Sequence, residues 1–471
     1  MPARKLKFWD LALYGVAMTL SIRWIATAAA AGPAALPLWG LAMVGFMAPL
    51  AVATAELTTR FSGDGGIYAW TGQTLGHFAG FLCAWLYWTC NLPFFSGMLY
   101  FIANALGAAG GPSVQAALSH PVAFVAFAFA LALAVAGLHL LGLGAGKWLN
   151  TFGAGATFVL LALLVAAGSV LVVRHGSATG FADARWSPPL NADGAALWAT
   201  MVFAFGGPEA LALLRGDVEG GTRQILRVIA VVGIGLVGAY MLGTLAVLGI
   251  LAPGEVSRLS GVPDALRLAL DRLGLAPLAP VALVLLALSM LGGYSSWFGV
   301  AARLPFVVGV DRFLPRAFAY RHPRTGAPAT AIVVQTAAVF GLILLGQAGE
   351  TVKGAYDFLV SMSVLSYTIP FAFLFVVYLK IQDADLPANG WSPGGPARAR
   401  LIGALGLIVT LSAIACTLVP GADSVDKLHD LIKLLGSSAM LTGVGVALWL
   451  WAERRARLDV SRPETGDAPS A

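Results

Sequence analysis

Apolar residues in this chain come in runs longer than a globular core needs. The stretches near 10–33, 36–58, 77–107, 120–141, 148–173, 193–214, 226–252, 277–301, 328–347, 355–379, 401–420 and 432–452 carry very few charges. A helix that crosses the hydrocarbon of a bilayer takes roughly 20 apolar residues, so the pattern predicts twelve spanning helices. The alternating ~10-residue segments of a membrane β-barrel are missing. The expected fold class is therefore an all-α polytopic membrane protein. Loops are short except at 174–192, 253–276, 302–327 and 380–400, and none could hold a core of its own. The chain reads as one transmembrane domain over 1–453, followed by a short polar tail, 454–471, expected to be disordered.

Two ionisable groups interrupt this pattern. Arg23 lies inside the first run, in Leu20-Ser21-Ile22-Arg23-Trp24-Ile25-Ala26, and Glu209 closes Phe203-Ala204-Phe205-Gly206-Gly207-Pro208-Glu209 in the sixth. A charge at membrane depth costs at least ~2.5–3.5 kcal/mol on insertion scales, so it persists where it is paired or faces a polar cavity. The Gly206-Gly207-Pro208 run also breaks its helix, because proline lacks the backbone donor and clashes with the preceding turn. Broken backbone at that depth survives only when buried in protein or lining a wet cavity. In span one, Gly32-Pro33 is read as the exit, and Met18-Thr19-Leu20-Ser21 is only weakly helix-breaking. Two buried charges, one beside a broken helix, point to a transporter with a polar site near the bilayer midplane.

Composition sharpens this reading. The 471 residues are 58% hydrophobic and 11% charged, whereas a soluble domain carries about 25% charged residues. The net charge of +6 concerns topology rather than nucleic acid. With the amino terminus in the cytoplasm, about 20 Lys/Arg fall on cytoplasmic segments and about 8 outside, while acidic residues split evenly. Both termini are then expected in the cytoplasm of a multi-pass protein of the cytoplasmic (inner) membrane. The basic stretch from Arg303 to Arg324 would face the same side, next to anionic lipid head groups. The first apolar stretch lacks a small-residue cleavage site and is expected to remain as a span. Cys83, Cys90 and Cys416 lie inside spans as packing residues, and the six histidines show no ligand spacing; neither cofactor nor metal is expected. No phosphate-binding Gly-x-x-x-x-Gly-Lys-Ser/Thr loop is present, which excludes an ATP-driven pump. No catalytic Ser/His, His-Glu-x-x-His or paired-aspartate constellation lies in the spans, which argues against an enzyme. A membrane amino-acid sensor would require a soluble output domain, and the tails are too short for one.

Several segments, taken in order, resemble the amino acid–polyamine–organocation (APC) transporters. They are Ala55-Glu56-Leu57, Arg60-Phe61, Gly65-Gly66-Ile67-Tyr68, Gly80-Phe81 and Ala84-Trp85-Leu86-Tyr87-Trp88, then the broken segment Phe203–Glu209. Asp311-Arg312-Phe313-Leu314-Pro315, His322-Pro323-Arg324-Thr325-Gly326-Ala327-Pro328 and Pro370 follow. The resemblance covers spans one to ten and implies a LeuT-type fold. Inverted five-helix repeats would occupy about 10–173 and 193–379, with two extra helices over about 401–452. Discontinuous helices one and six would face each other at a central site. It further implies secondary transport of an amino acid or related small amine or carboxylate, with proton-coupled symport expected and obligate exchange as the alternative. The chain departs from the family where helix one unwinds: Met18, Thr19 and Leu20 stand in place of a Gly-Ser-Gly run whose backbone N–H groups bind substrate carboxylate. Ala156 stands where some proton-coupled relatives have lysine.

The candidate substrate-binding residues are Thr19, Leu20, Ser21, Arg23, Asn91, Phe203, Phe205, Gly206, Gly207 and Ser361, with Trp88 and Ser363 as further cavity candidates. Three readings compete for Arg23: it binds an anionic group, pairs with Glu209, or snorkels to the bilayer surface. Glu209 is either a proton carrier or a structural acid tying down the broken helix. By resemblance, Phe203 and Tyr294 match aromatic gates, and Ser295 and Ser296 fall where sodium-coupled relatives place hydroxyl ligands. Hydroxyls in helices more often bond a carbonyl one turn back.

Overall fold

A computed structural model describes residues 7–61, 66–188, 190–207, 209–211, 221–311, 313–347, 352–384, 391–419 and 427–460. Gly65, Pro208, Arg312 and the tail from 461, all singled out from the sequence, lie outside these residues.

Nineteen α-helices follow one another in the described residues. They are α1 (Phe8–Thr19), α2 (Arg23–Ala29), α3 (Ala35–Ala42), α4 (Ala48–Arg60), α5 (Gly66–Leu75), α6 (His77–Thr89), α7 (Asn91–Gly110), α8 (Pro112–Ser119), α9 (Pro121–Leu140) and α10 (Leu143–His175). After them come α11 (Ala192–Ala204), α12 (Gly221–Ile250), α13 (Gly261–Arg272), α14 (Ala279–Ala301), α15 (Arg303–Val310), α16 (Ala329–Gln347), α17 (Val352–Lys380), α18 (Pro396–Thr417) and α19 (Lys427–Val460). Among the described residues, ten helical stretches are long and apolar enough to cross a membrane. The two predicted spans outside that set, the first and the sixth, are the interrupted ones: α1 stops at Thr19 and α2 restarts at Arg23, while α11 stops at Ala204.

Local chemistry sets many of the ends. Proline opens α8, α9 and α18 within the first two positions, where its missing donor costs nothing. Asn191 caps α11, its side chain accepting from Gly194 N at 3.0 Å. One boundary corrects the sequence reading. Helix α19 runs on through Val460, so residues 454–460, assigned to a disordered tail, are helical. The Arg/Ala/Leu residues there favour helix, and Arg455 lies over the Trp451 ring one turn back.

Helices pack closely where side chains vanish. α14 lies along α10, and a Cβ on Gly153 would come within 2.5 Å of the Gly292 Cα. Small residues permit such backbone approach in membranes, where packing rather than water drives association. α14 thereby reaches the centre of the bundle, also touching α7 and α1.

One face carries a polar network that hydropathy alone did not single out. Glu56 is wholly buried on α4. It pairs with Arg60 at 2.8 Å, and its other oxygen accepts from the Tyr378 hydroxyl at 2.9 Å. Arg60 also donates to Ala384 O at 3.0 Å, so the end of α4 is tied to the end of α17. Nearby in sequence, Tyr68 on α5 donates to Asp311 at 2.5 Å. Burial, and then the Asp311 carboxylate, push that phenol well above its ordinary value, so it stays a donor.

Candidate functional site

The break in the first span occurs without glycine or proline. The Leu20 N–H still closes the last turn of α1 on Val16 O. The helix restarts with tight bonds from Trp24 N to Ser21 O and Ile25 N to Ile22 O. Side chains from distant helices take up the backbone groups freed between. Trp297 Nε1 on α14 donates to Met18 O at 2.5 Å. The Tyr240 hydroxyl on α12 accepts from Ser21 N at 3.4 Å and shares its proton between Thr19 O at 3.1 Å and Ala204 O at 3.2 Å. One phenol thus bridges the breaks of spans one and six. Replacing Tyr240 with phenylalanine leaves buried carbonyls without a donor and is expected to cost about 1–3 kcal/mol. A lower thermal midpoint in detergent checks this, and an unchanged midpoint would remove Tyr240 from the account.

In span six the chain turns at Phe205, leaves helical geometry at Gly206 and Gly207, and resumes as a short turn over 209–211. Gly207 has φ +126°, which side-chain-bearing residues rarely adopt. Glu209 reaches back over this turn. Its Oε2 accepts from Gly207 N at 2.8 Å. Its Oε1 accepts from the Tyr87 hydroxyl of α6 at 2.6 Å and the Tyr367 hydroxyl of α17 at 2.8 Å. The carboxyl group therefore ties the broken segment to two other helices.

Between the two breaks lies a cavity. Met18, Thr19, Ser21 and Trp24 line it from span one, and Cys90, Asn91 and Phe94 from the α6–α7 junction. Phe203, Ala204 and Gly206 come from span six, with Trp297 and Tyr367 from α14 and α17. The centre of a water molecule can reach about 30 Å³ of it. A water needs roughly 10–15 Å³ by that measure, so the aromatic side chains hold the site nearly closed. Phe203 packs edge-on to Trp24 at 5.3 Å and to Tyr367 at 5.0 Å.

The structure brings Thr19, Ser21, Asn91, Phe203 and Gly206 to this cavity, but the Thr19 hydroxyl is turned back on Gly15 O, and the Asn91 amide donates to Tyr87 O. Leu20 is buried outside the lining. Phe205 packs behind the break, against Trp39 at 5.3 Å and Tyr240 at 5.8 Å. Gly207 borders the site through contact with Thr19. Ser361 donates to Asp357 O on its own helix, away from the lining. Ser363 does the same to Leu359 O, and Trp88 donates to Gln335. Tyr294, matched to a gate from the sequence, is instead wholly buried between Phe95 and Phe298; Trp297, nearly one turn on, faces the cavity. The Ser295 hydroxyl and carbonyl both meet His139 Nε2, at 3.1 and 2.9 Å, which turns them toward α9. Ser296 is wholly buried, and neither serine lines the cavity.

Arg23 and Glu209 form no ion pair, since Glu209 is engaged by Tyr87, Tyr367 and Gly207. Nor does Arg23 snorkel: it is 1% exposed, with its guanidinium 4.1 Å from the Trp24 ring centroid and 4.6 Å from that of Phe94. The sequence reading missed Tyr87, Tyr240, Trp297 and Tyr367 as site residues. The available signal was the polar end of each ring, which needs a partner at membrane depth.

Known proteins resemble the chain along nearly its whole length. The amino acid permease family matches residues 6–447. An uncharacterized transporter of Legionella pneumophila is 24% identical over 455 residues, covering 95% of this chain and 97% of its own. One of Mycobacterium tuberculosis is 28% identical over 459 residues, covering 95% and 90%. A protein of Lactococcus lactis named "Probable agmatine/putrescine antiporter" is 19% identical over 430 residues, covering 91% and 90%. With the family match spanning both interrupted helices and the cavity between them, the chain belongs to the amino acid permeases of the APC superfamily, integral multi-pass transporters with the LeuT-type helical fold.

Proposed function

We propose that this protein carries an amino acid, or a related small amine or carboxylate, across the cytoplasmic membrane by alternating access, in symport with protons. The observation that carries the proposal is Glu209, an ionisable group on a broken helix at the edge of a central cavity. As a carboxylate it accepts three hydrogen bonds, from Tyr87, Tyr367 and Gly207 N. A proton removes the charge that strengthens all three bonds; on Oε1, where both lone pairs are taken, it also displaces or reverses one tyrosine bond. Proton uptake would thus loosen span six from α6 or α17, and proton release would tighten it.

The two breaks, one in each half of the chain, support inverted repeats over about 10–173 and 193–379 that rock about the cavity. Phe203 and Trp297 would act as aromatic gates, with Tyr367 linking Phe203 to Glu209. The Lys/Arg distribution supports cytoplasmic termini. Exchange is the second reading, favoured by the antiporter named in Lactococcus lactis at 19% identity.

Uptake of a radiolabelled panel of amino acids and amines into proteoliposomes tests this. Entry into empty vesicles that rises with an inward proton gradient is the expected result. Entry only into substrate-loaded vesicles would replace symport with exchange, and no flux under either condition would overturn transport of this substrate class.

A further inference from the structure

We infer that Arg23 is a carboxylate receptor, and that the protein selects ligands bearing an anionic group over amines that lack one. The inference deepens the transport proposal and rests on it for the role of the central cavity as the ligand's path. Two independent observations lead to it.

The first is the state of the guanidinium. Nε and Nη1 of Arg23 are buried without a hydrogen-bond partner of good geometry, and the Tyr356 hydroxyl beside them makes at best a poorly aligned one. The Tyr356 and Tyr240 phenols lie close to the cation. No acid among the described residues forms an ion pair with it, and Glu209 is engaged by Tyr87, Tyr367 and Gly207. Trp24 and Phe94 stack on the guanidinium. Ring faces attract a cation and fix its plane, but they accept none of its N–H bonds. What remains is a planar, pre-oriented fork with free donors, the geometry that takes a carboxylate through two parallel bonds. The two rings that hold the fork also line the cavity, so a small shift of Phe94 or Trp24 connects the two.

The second observation is where the backbone of the first break is spent. An unwound membrane helix can bind an anion through bare N–H groups. Here Ser21 N donates to Tyr240, and the carbonyls of Met18 and Thr19 accept from Trp297 and Tyr240. The protein's own side chains occupy the Ser21 N–H and both of these carbonyls. The group at the break best suited to an anion is then the side chain four residues past the end of α1, which carries a full charge.

A ligand carboxylate would supply both the acceptors and the counter-charge that Arg23 lacks in its protein surroundings. An amine without a carboxylate would bring a like charge to the same place. The expected selectivity is thus between an amino acid and the amine made from it by removing its carboxylate.

The test measures ligand-induced thermal stabilisation of the purified full chain in detergent. The probes are alanine with ethylamine, leucine with isopentylamine and lysine with cadaverine, together with acetate and succinate. The expected result is stabilisation by at least one carboxylate-bearing probe and none by its carboxylate-free counterpart. Arg23→Met should weaken that ligand about a hundredfold or more, in line with truncation of a buried charged contact. Arg23→Lys should retain part of it, and Tyr356→Phe should lose less than Arg23→Met. The ligand-free Arg23→Met protein should melt no lower than wild type, because a buried cation with free donors is replaced by a shorter, unbranched apolar chain. A merely structural arginine would instead lower that midpoint. Equal stabilisation by an amine and its parent, unchanged affinity in Arg23→Met, or no response to any carboxylate overturns the inference. Uptake of carboxylate-free amines into vesicles would sink it while leaving transport intact. Carboxylate binding without flux under any gradient would sink transport and leave Arg23 as the receptor.

Discussion

Glu209→Gln is expected to lower transport at least tenfold while the protein remains folded. Glutamine has almost the same shape but only one acceptor oxygen. If that oxygen takes the Tyr87 and Tyr367 hydroxyls, the amide nitrogen meets Gly207 N–H, donor against donor. If the amide flips, the two hydroxyls face a donor and must reverse. Either arrangement loses at least one hydrogen bond to a charged group, worth about 1.5–3 kcal/mol, and 1.4 kcal/mol is about tenfold in an equilibrium. Tyr87→Phe and Tyr367→Phe each remove one bond and keep the charge, so each should do less. The variants also separate the two roles weighed for this acid. A proton carrier predicts that Glu209→Gln removes the dependence of uptake on the proton gradient, while both tyrosine variants keep it. A structural acid predicts a lower melting point in all three with the gradient dependence intact. Uptake into proteoliposomes at matched protein content decides, and a wild-type rate in Glu209→Gln would eliminate both readings.

Gly207→Ala should be the most damaging single substitution to folding in the site. The backbone there has φ +126°, and an added Cβ would lie 2.4 Å from Thr19 Cγ2 and 3.4 Å from Trp297. Holding such a conformation costs about 1–3 kcal/mol and forced overpacking a similar amount, together roughly 2–6 kcal/mol. That is a large share of the total stability of about 5–15 kcal/mol typical of a folded protein. The expected readout is a sharp loss of monodisperse protein on size exclusion and a lower melting point. Adding Thr19→Ala removes the clashing methyl but leaves the backbone strain, so the double variant should recover only in part. Gly206→Ala is a useful contrast. Its Cβ would strike Tyr367 Cε1 at 2.3 Å, but Gly206 lacks the positive φ of its neighbour and the ring can shift. Its effect should fall more on transport than on yield, because Tyr367 holds Glu209. Full yield and a wild-type melting point in Gly207→Ala would mean that the turn tolerates a different backbone path.

Hydropathy was enough to locate the spans. Whether a run of twenty residues can sit in hydrocarbon depends on those residues alone, so the ten continuous membrane helices were legible. The break in span six was legible for the same reason: Gly206-Gly207-Pro208 is poor helix on any background. Arg23 and Glu209 stood out because charge at membrane depth is costly wherever it occurs. Glu56 was quoted only as part of a pattern; its partners Tyr378 and Gln382 lie more than 300 residues away. The break in span one was hidden more deeply. Met18-Thr19-Leu20-Ser21 can propagate a helix, and it opens here because Tyr240 and Trp297, 219 and 279 residues further on, take its backbone groups. Those bonds can only form once the bundle has assembled. The same holds for Tyr87 and Tyr367 on Glu209, for the rings that sandwich Arg23, and for Trp297 rather than Tyr294 facing the cavity. Composition and local pattern decided where the membrane helices and buried charges lie. Tertiary packing alone decided which side chains those charges meet, because a hydrogen bond between distant helices leaves no trace in the local sequence of either one.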